Sequence, residues 1–386
     1  MPDRPCTIVV GLCAHGLGIA RALHRSGIAV TALEANPDLP GVRTRCAEVR
    51  IVPDINGDGL VDALLEASPP ERDEAKPVLL LTSDRMVETV GRSIATLAPR
   101  FRLSWSDCAD RLLPLLSKAN IETRCREAGL RYPKSALLTD LTEAKPVLAE
   151  LGFPLIVKPV RPLSPFKTRI LDSFDAFERH RGLFESSLPV LVQQFIAGDD
   201  TTIRFGAMYL SQGKPLARFE GRKLRSWPMG HTTIAVSEPS DEIHRLACTF
   251  FDGLDLSGPV SLELKRDPVG RDWVIEPTVG RTDFWAALCA TNGVDLSLVE
   301  YRDAAGLPPL QAVQHGGHLW LNAERDPMAP LWLLRRDPAR LLSERIHGVY
   351  IDRHDPGPAA RGMARQLASF ASRVCRRMGF TRPGQP

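Results

Sequence analysis

Four groups of side chains in this sequence have types and spacing suited to chemistry. The first is a pair of lysines: Lys118 opens a helical stretch and Lys158 ends the apolar run FPLIVKP. An ammonium at the end of a buried strand needs a counter-charge, and an anion supplies one. For each lysine alone, an ordinary solvent-facing position is the plainer alternative. The second group is the carboxylate pair Glu263, in VSLELKRD, and Glu276, in DWVIEPT, with the turn-like DPVGR between them. Counting outward from that turn places both acids at similar depth on neighbouring strands. Carboxylates side by side repel unless a cation lies between them, and hard oxygen ligands suit Mg2+. The alternative is that they face opposite sides, or pair with Lys265 and Arg271. The third group is QQFIAGDD (193–200), a strand running into an acidic turn, which alone reads as a plain strand end. The fourth is basic: Arg222, Lys223 and Arg225, then Arg281 beyond Glu276. These can offset anionic charge in a cleft, or form a solvated face.

Two further motifs carry less. Gly11, Gly16 and Gly18 lie in GLCAHGLG between a strand and a helix, where backbone N–H groups can approach a phosphate. The spacing is not GxGxxG, although Glu34 closes the next strand where a ribose-binding acid of a dinucleotide fold would sit. Tight strand–helix packing explains the same glycines. His315 and His318 flank two glycines and read as a turn rather than a metal site. Gly-x-Ser-x-Gly, a metalloprotease His-Glu pair and a Cys–His nucleophile signature are all missing from the sequence.

The elements that must position these groups follow from periodicity. TIVVG, IAVTAL, VRIVPD and KPVLLLTSD alternate with helical stretches, which argues for a parallel sheet covered by helices. LLPLLSKANIETRCREAGL reads as a helix stopped by Gly129. From 201 the pattern is strand-rich, broken by a helix over 241–253. Beyond 295 the chain reads as mostly helical. Residues 331–346 and 359–378 alternate apolar and Arg positions, as helices packed on the body do. An interfacial membrane helix or an acidic partner would suit the same pattern.

Composition bounds the class. With 386 residues, 44% hydrophobic and 25% charged, the chain has material for several cores. Its 49 basic and 46 acidic residues leave +3, too little for a nucleic-acid footprint. Residues 311–386 nonetheless hold 12 Arg against 6 acids. No apolar run approaches the roughly 20 residues of a membrane span, and no signal peptide is read at the N-terminus. The eight cysteines show no CxxC, as expected for reduced thiols of a cytoplasmic protein.

Taken in order, these pieces resemble the ATP-grasp superfamily, closest to its carboxylate–amine ligases, from about residue 7 to about 290. VVGLCAHGLGIARALHRSGIAVTALE looks like the superfamily's pre-ATP-grasp domain. SKANIETRCREAGLRYPKS resembles the lysine-bearing opening of the ATP-grasp domain, and FPLIVKPV the strand whose lysine meets phosphates. VLVQQFIAGDD resembles the hinge strand, and ELKRDPVGRDWVIEPTVGR the two metal-ligand strands. EGRKLRSWPMGHTT resembles a basic segment of the ligases.

The resemblance implies an α/β fold, α+β in the ATP-grasp part. It divides the chain into a Rossmann-like domain over 1–111, a two-lobed ATP-grasp domain over 112–310 (lobes 112–193 and 194–310) and an Arg-rich, mostly helical extension over 311–386. It implies ATP and Mg2+ as cofactors, with small carboxylate and amine substrates, no nucleic acid, and a homodimer or peripheral membrane contact left open. Lys118 and Lys158 would hold phosphates. Gln193, Gln194 and Ile196 would frame adenine, and Asp200 the ribose hydroxyls. Glu263, Glu276 and Thr278 would hold Mg2+, with Lys223, Arg225 and Arg281 facing the reacting groups. A carboxylate would be phosphorylated and the acyl phosphate taken by an amine, chemistry that rests on positioning and charge neutralisation.

Three departures stand out. Thr278 replaces the usual Asn ligand, Arg281 lies one residue late, and the loop RPLSPFKTR lacks the usual glycines, with Ser164 and Lys167 in their stead. A nucleotide-binding or regulatory protein that has lost full metal coordination is the alternative expectation, and an NAD-dependent oxidoreductase a more distant one.

Overall fold

The computed structural model describes residues 4–68, 76–160, 165–166 and 168–377, with side chains described to residue 368. Ser164 and Lys167 lie outside the described residues.

Three sheets carry the chain. The first is parallel, in the order β3-β2-β1-β4, built from β1 (Thr7–Val10), β2 (Val30–Glu34), β3 (Glu48–Ile51) and β4 (Val78–Leu81). TIVV and VLLL are buried at every position, because helices cover both faces of a parallel sheet. The glycine turn after β1 is a packing device. A Cβ on Gly16 would fall 1.8 Å from the Gly11 carbonyl oxygen, and one on Gly11 (φ +88) would fall 2.4 Å from Thr82 Oγ1. Glu34 is spent on the backbone: its carboxylate accepts the N–H groups of Leu12 at 2.6 Å and of Ala35 and Asn36 at 2.9 Å. The structure thereby assigns both features of the dinucleotide reading to local packing.

The second sheet is antiparallel, in the order β5-β8-β6-β7, from β5 (Ser135–Leu138), β6 (Leu155–Pro159), β7 (Arg169–Leu171) and β8 (Val190–Gln194). Leu155 and Val157 point into a core with Phe177 and Phe184, so the period of two sends Lys158 to the opposite, cleft-facing side. The third sheet has seven strands in the order β13-β12-β9-β10-β11-β14-β15. These are β9 (Ile203–Ser211), β10 (Lys214–Ser226), β11 (Thr232–Ser237), β12 (Gly258–Arg266), β13 (Asp272–Val279), β14 (His318–Leu321) and β15 (Arg345–Gly348).

One expectation is corrected here. The helix expected over 112–129 starts at Lys118, because Pro114 breaks the preceding turns into a 3-10 piece. Over 311–377 the chain is mostly helical, in Ala329–Arg336, Pro338–Ser343 and Gly357–Arg377, but it also supplies two strands: β14 pairs with β11 and β15 with β14, completing the large sheet. Four-residue strands are too short to declare a period. Leu81, Leu112 and Leu262 share one apolar cluster, so the first and third sheets pack on a common core across residue 111.

The C-terminal segment is also pinned to the N-terminal helix Ala14–Arg25. Arg21, 3% exposed, donates to Asp355 Oδ2 at 2.8 Å, to the Val349 carbonyl at 2.8 Å and to the Tyr350 carbonyl at 3.2 Å. Burial opposes ionisation of Asp355, but Thr44, the Arg45 N–H and Arg21 outweigh it and hold the carboxyl below its usual value. Stability from this group is complete above the unfolded carboxylate value of about 4 and is lost as pH falls through the lower folded value. Asp355→Ala leaves a buried guanidinium unpaired, and the expected cost in urea unfolding is about 3–5 kcal/mol. A loss below 1 kcal/mol, roughly a surface pair's worth, would remove this tie from the fold's essentials.

Candidate active site

A cleft of about 800 Å³ opens between the second and third sheets and reaches the glycine turn of the first. Eleven of the twelve residues singled out from the sequence line it: Lys118, Lys158, Gln193, Gln194, Ile196, Asp200, Lys223, Glu263, Glu276, Thr278 and Arg281.

At one end the chemistry is cationic. Lys158 Nζ donates to Gln193 Oε1 at 3.0 Å, and Gln193 Nε2 donates to Ser135 Oγ at 3.0 Å. The Gln193 side chain, 1% exposed, therefore holds the lysine from within the sheet instead of facing a base. Burial lowers the Lys158 pKa to about 8; Glu276 opposes the shift, and Lys118 adds to it. Lys118 Nζ lies 3.8 Å from Glu276 Oε1. Along the hinge, Asp200 Oδ2 accepts the Ser226 N–H at 2.7 Å, so one of its oxygens is already engaged. Lys265 also lines the cleft, its ammonium 4.5 Å from the Phe195 ring centroid and its pKa lowered by burial against the pull of Asp200 and Asp199. It was weighed from sequence only as a partner for the acids. Strand alternation carries the better signal, because residues 263 and 265 share a face of β12.

In the middle, the β12–β13 register sets Glu263 opposite Glu276. A bulge follows between Glu263 and Leu264. Neither acid pairs with Lys265 or Arg271. Lys223 Nζ sits 2.5 Å from Glu263 Oε1, and its charge lies 5.5 Å from the Trp285 ring centroid. Burial raises the Glu263 pKa; Lys223 opposes this, while Asp283 and Glu276 add to it. Two facing carboxylates, each held against an ammonium, are hard-oxygen donors in a place that favours positive charge. They fit an ion that takes one or two carboxylates and completes its shell with water and phosphate. No set of three His, Cys, Asp or Glu side chains gathers round one point among the described residues. Thr278 Oγ1 is bonded to Asp283 Oδ2 at 3.2 Å.

Arg225 is the exception. Register shifts on both sides of it break the alternation of β10 that would have set it beside Lys223. Its Nε donates to Asp326 Oδ2 at 2.6 Å, and its guanidinium lies between the rings of Trp227 and Trp332 at 5.9 and 5.5 Å. It is outside the cleft lining.

At the far end, Arg281 is joined by residues that sequence reasoning missed. Arg281 Nε donates to Asp84 Oδ1 at 2.7 Å, and Nη1 reaches Asp283 Oδ1 at 3.5 Å. His15, from the glycine turn, lies 2.7 Å from Thr282 Oγ1. Gly280 makes the turn possible: its φ is +69, and a Cβ there would fall 2.9 Å from Val87. Asp84 follows a parallel strand at its carboxyl end, where open α/β sheets place their ligands, and that was the available signal.

No family model matches the chain. Among curated proteins it is 23% identical over 210 residues to the carbamoyl phosphate synthase large chain of Thermomicrobium roseum, covering 51% of this chain and 19% of that protein. It is 37% identical over 78 residues to the D-alanine–D-alanine ligase of Ectopseudomonas mendocina, covering 19% and 24%. The chain thus spans about a fifth to a quarter of the curated relatives it matches. Among solved structures it is similar to an N5-carboxyaminoimidazole ribonucleotide synthetase in its ADP complex, with TM-score 0.64, 12% identity, and 81% of this chain and 80% of that one covered. It is also similar to the L-amino acid ligase of Bacillus licheniformis, with TM-score 0.58, 16% identity and coverage of 80% and 76%. These likenesses bear out the ATP-grasp resemblance at the level of the fold: the chain is a mixed α/β protein with the ATP-grasp fold.

His15 gives this end of the cleft a pH signature. Burial, helped by the Arg281 charge, lowers its pKa to about 4, with Asp283 opposing. The unfolded chain, with a histidine near 6.5, therefore binds more protons between about 4 and 6.5. The stabilisation is complete above about 6.5 and is lost as pH falls toward about 4, by about 3 kcal/mol. His15→Gln keeps a partner for Thr282 and does not titrate. Urea midpoints measured from pH 7.5 to 4.5 should fall less steeply in that variant, and parallel curves would refute the assignment.

Proposed function

We propose that the protein is an ATP- and Mg2+-dependent ligase that joins a carboxylate to an amine through an acyl phosphate. The observation that carries this reading is the facing pair Glu263 and Glu276 in the same cleft as Lys118 and Lys158. The ligases and the ADP complex to which the chain is similar support it.

In this reading Lys118 and Lys158 hold the nucleotide's phosphates, and the anion returns Lys158 to full charge in a desolvated site. Gln194 and Ile196 border the base, Gln193 holds Lys158 in place, and the free oxygen of Asp200 meets the ribose. Glu263 and Glu276 hold Mg2+, which supplies charge neutralisation for the transferring phosphoryl group. Thr278 adds a hydroxyl beside them. Lys223 stays on Glu263 and limits its repulsion with Glu276. Arg281, steadied by Asp84, faces the substrate carboxylate. That carboxylate's oxygen takes the γ-phosphoryl group and ADP leaves; the amine nitrogen then takes the acyl carbon, losing a proton, and phosphate leaves. Arg225 takes no part.

Residues 112–193, with most of the second sheet, and 194–310, with strands β9 to β13 of the third, are the lobes of the grasp, β14 and β15 extending the second lobe, and residues 1–111 form the domain that closes the substrate end. The partners are small carboxylates and amines in a cytoplasmic setting.

The deciding experiment is phosphate release from ATP and Mg2+ with pooled amino acids and small carboxylates. Amine-dependent release is expected; ATP binding without release would instead favour a regulatory nucleotide-binding protein, the outcome Thr278 raises. Lys158→Ala should weaken ATP binding about ten- to a hundredfold by calorimetry, since a charge-assisted contact is worth about 1.5–3 kcal/mol. Unchanged affinity in the folded variant would sink that role.

The carboxylates should act as a unit. Glu263→Gln and Glu276→Gln should each remove most Mg2+-dependent turnover, and the double variant should lose little more. Thr278→Asn should keep or raise Mg2+ affinity. Additive losses in the double variant would leave the acids as separate charges.

A further inference from the structure

The C-terminal part of the third sheet carries a surface that the ligase reading does not use. Of 17 large apolar side chains exposed among the described residues, eight lie between 328 and 367. The helix Ala329–Arg336 buries Ala329 and Leu333 against Ile234 and Leu319, which satisfies the packing expected of it. Its other side still presents Leu331 and, three residues on, Leu334, 54% exposed. Met328 precedes it, Leu342 in the next helix, Pro338–Ser343, is 92% exposed, and Ile346 on edge strand β15 is 49% exposed.

The charges interleaved with these side chains have a positive excess. The acids of the stretch, Asp337 and Glu344, are both engaged by Arg340. Arg335, Arg336 and Arg345 are exposed and enter no ion pair among the described residues. The patch also extends to the lip of the cleft, because Trp332 shares the Arg225 guanidinium with Trp227, a cleft-lining residue that is 56% exposed.

We infer that this face docks on a lipid surface bearing anionic headgroups, with Leu331, Leu334 and Leu342 entering the boundary and Arg335, Arg336 and Arg345 meeting the headgroups. Aliphatic side chains alternating with unpaired guanidiniums, and an indole at the margin, are the combination such an interface rewards. A second copy of the chain is a poorer occupant, since a self-complementary contact would bring like charges together. The docking holds the cleft mouth next to the bilayer and is independent of the reaction in the cleft.

The test is co-sedimentation of the full chain with phosphatidylserine–phosphatidylcholine vesicles, against phosphatidylcholine alone. Binding to the anionic vesicles only, reversed by salt, is expected. The double change Arg335→Ala with Arg336→Ala should lower partitioning about thirtyfold, and Leu334→Glu with Leu342→Glu should abolish it. Both pairs are at the surface, and thermal melts should match the parent. Three results would overturn the inference: no binding to anionic vesicles, binding that neither pair alters, or a dimer in sedimentation velocity that Leu334→Glu dissolves while vesicles capture nothing.

Discussion

Two carboxylates face each other across adjacent strands inside a cleft, and that repulsion organises what surrounds it. Glu263 and Glu276 are cross-strand neighbours by register, so neither can turn away without leaving its sheet face. Charge must therefore be brought to them. Lys223 arrives on β10, and Lys118 at the first turn of its helix. Lys158, on the other sheet, is held by Gln193 and lies in the field of both acids. Each ammonium would be costly to bury alone, and each acid likewise. Together they form a partly buried array, with Glu276 and Lys118 open to the cleft, that gains from a ligand carrying both a divalent cation and several anionic oxygens.

The first sheet contributes rigidity to the far end of this array. His15 and Asp84 are separated from their partners Thr282 and Arg281 by 267 and 197 residues, yet both bonds are 2.7 Å long. The segment after Glu276 is fixed from outside its own sheet, which explains how a chain with an extra residue before its arginine still presents that arginine to the cleft. The Thr278–Asp283 bond closes the same segment on itself.

Much of this was legible in the sequence where short-range periodicity governs. A lysine ending the apolar run FPLIVKP marks Lys158 as needing an anionic partner, and a short hairpin aligns Glu263 with Glu276 by counting. Arg225 was misplaced because a bulge inserts one position without any residue that announces it. HLWL and RIHG became strands only because β11 offered an edge, which is a tertiary fact. Asp84 and Lys265 were overlooked for opposite reasons: one is made relevant by a partner far along the chain, the other looked like a neutralising neighbour of the acids it sits beside.

The bond between Arg21 and Asp355 has a consequence for how the molecule comes into being. Asp355 and the carbonyls of Val349 and Tyr350 are the acceptors that satisfy Arg21, and 334 residues separate Arg21 from Asp355. A nascent chain emerging from its N-terminus has to leave the inner face of its first helix unfinished while nearly all the rest is synthesised. The strands of the first sheet pair among themselves, but the helix that follows β1 completes its hydrogen bonds only with residues near 350. Chains halted before residue 349 lack every one of these acceptors, and also the Val349 and Tyr350 side chains that cover Leu17 of the same helix.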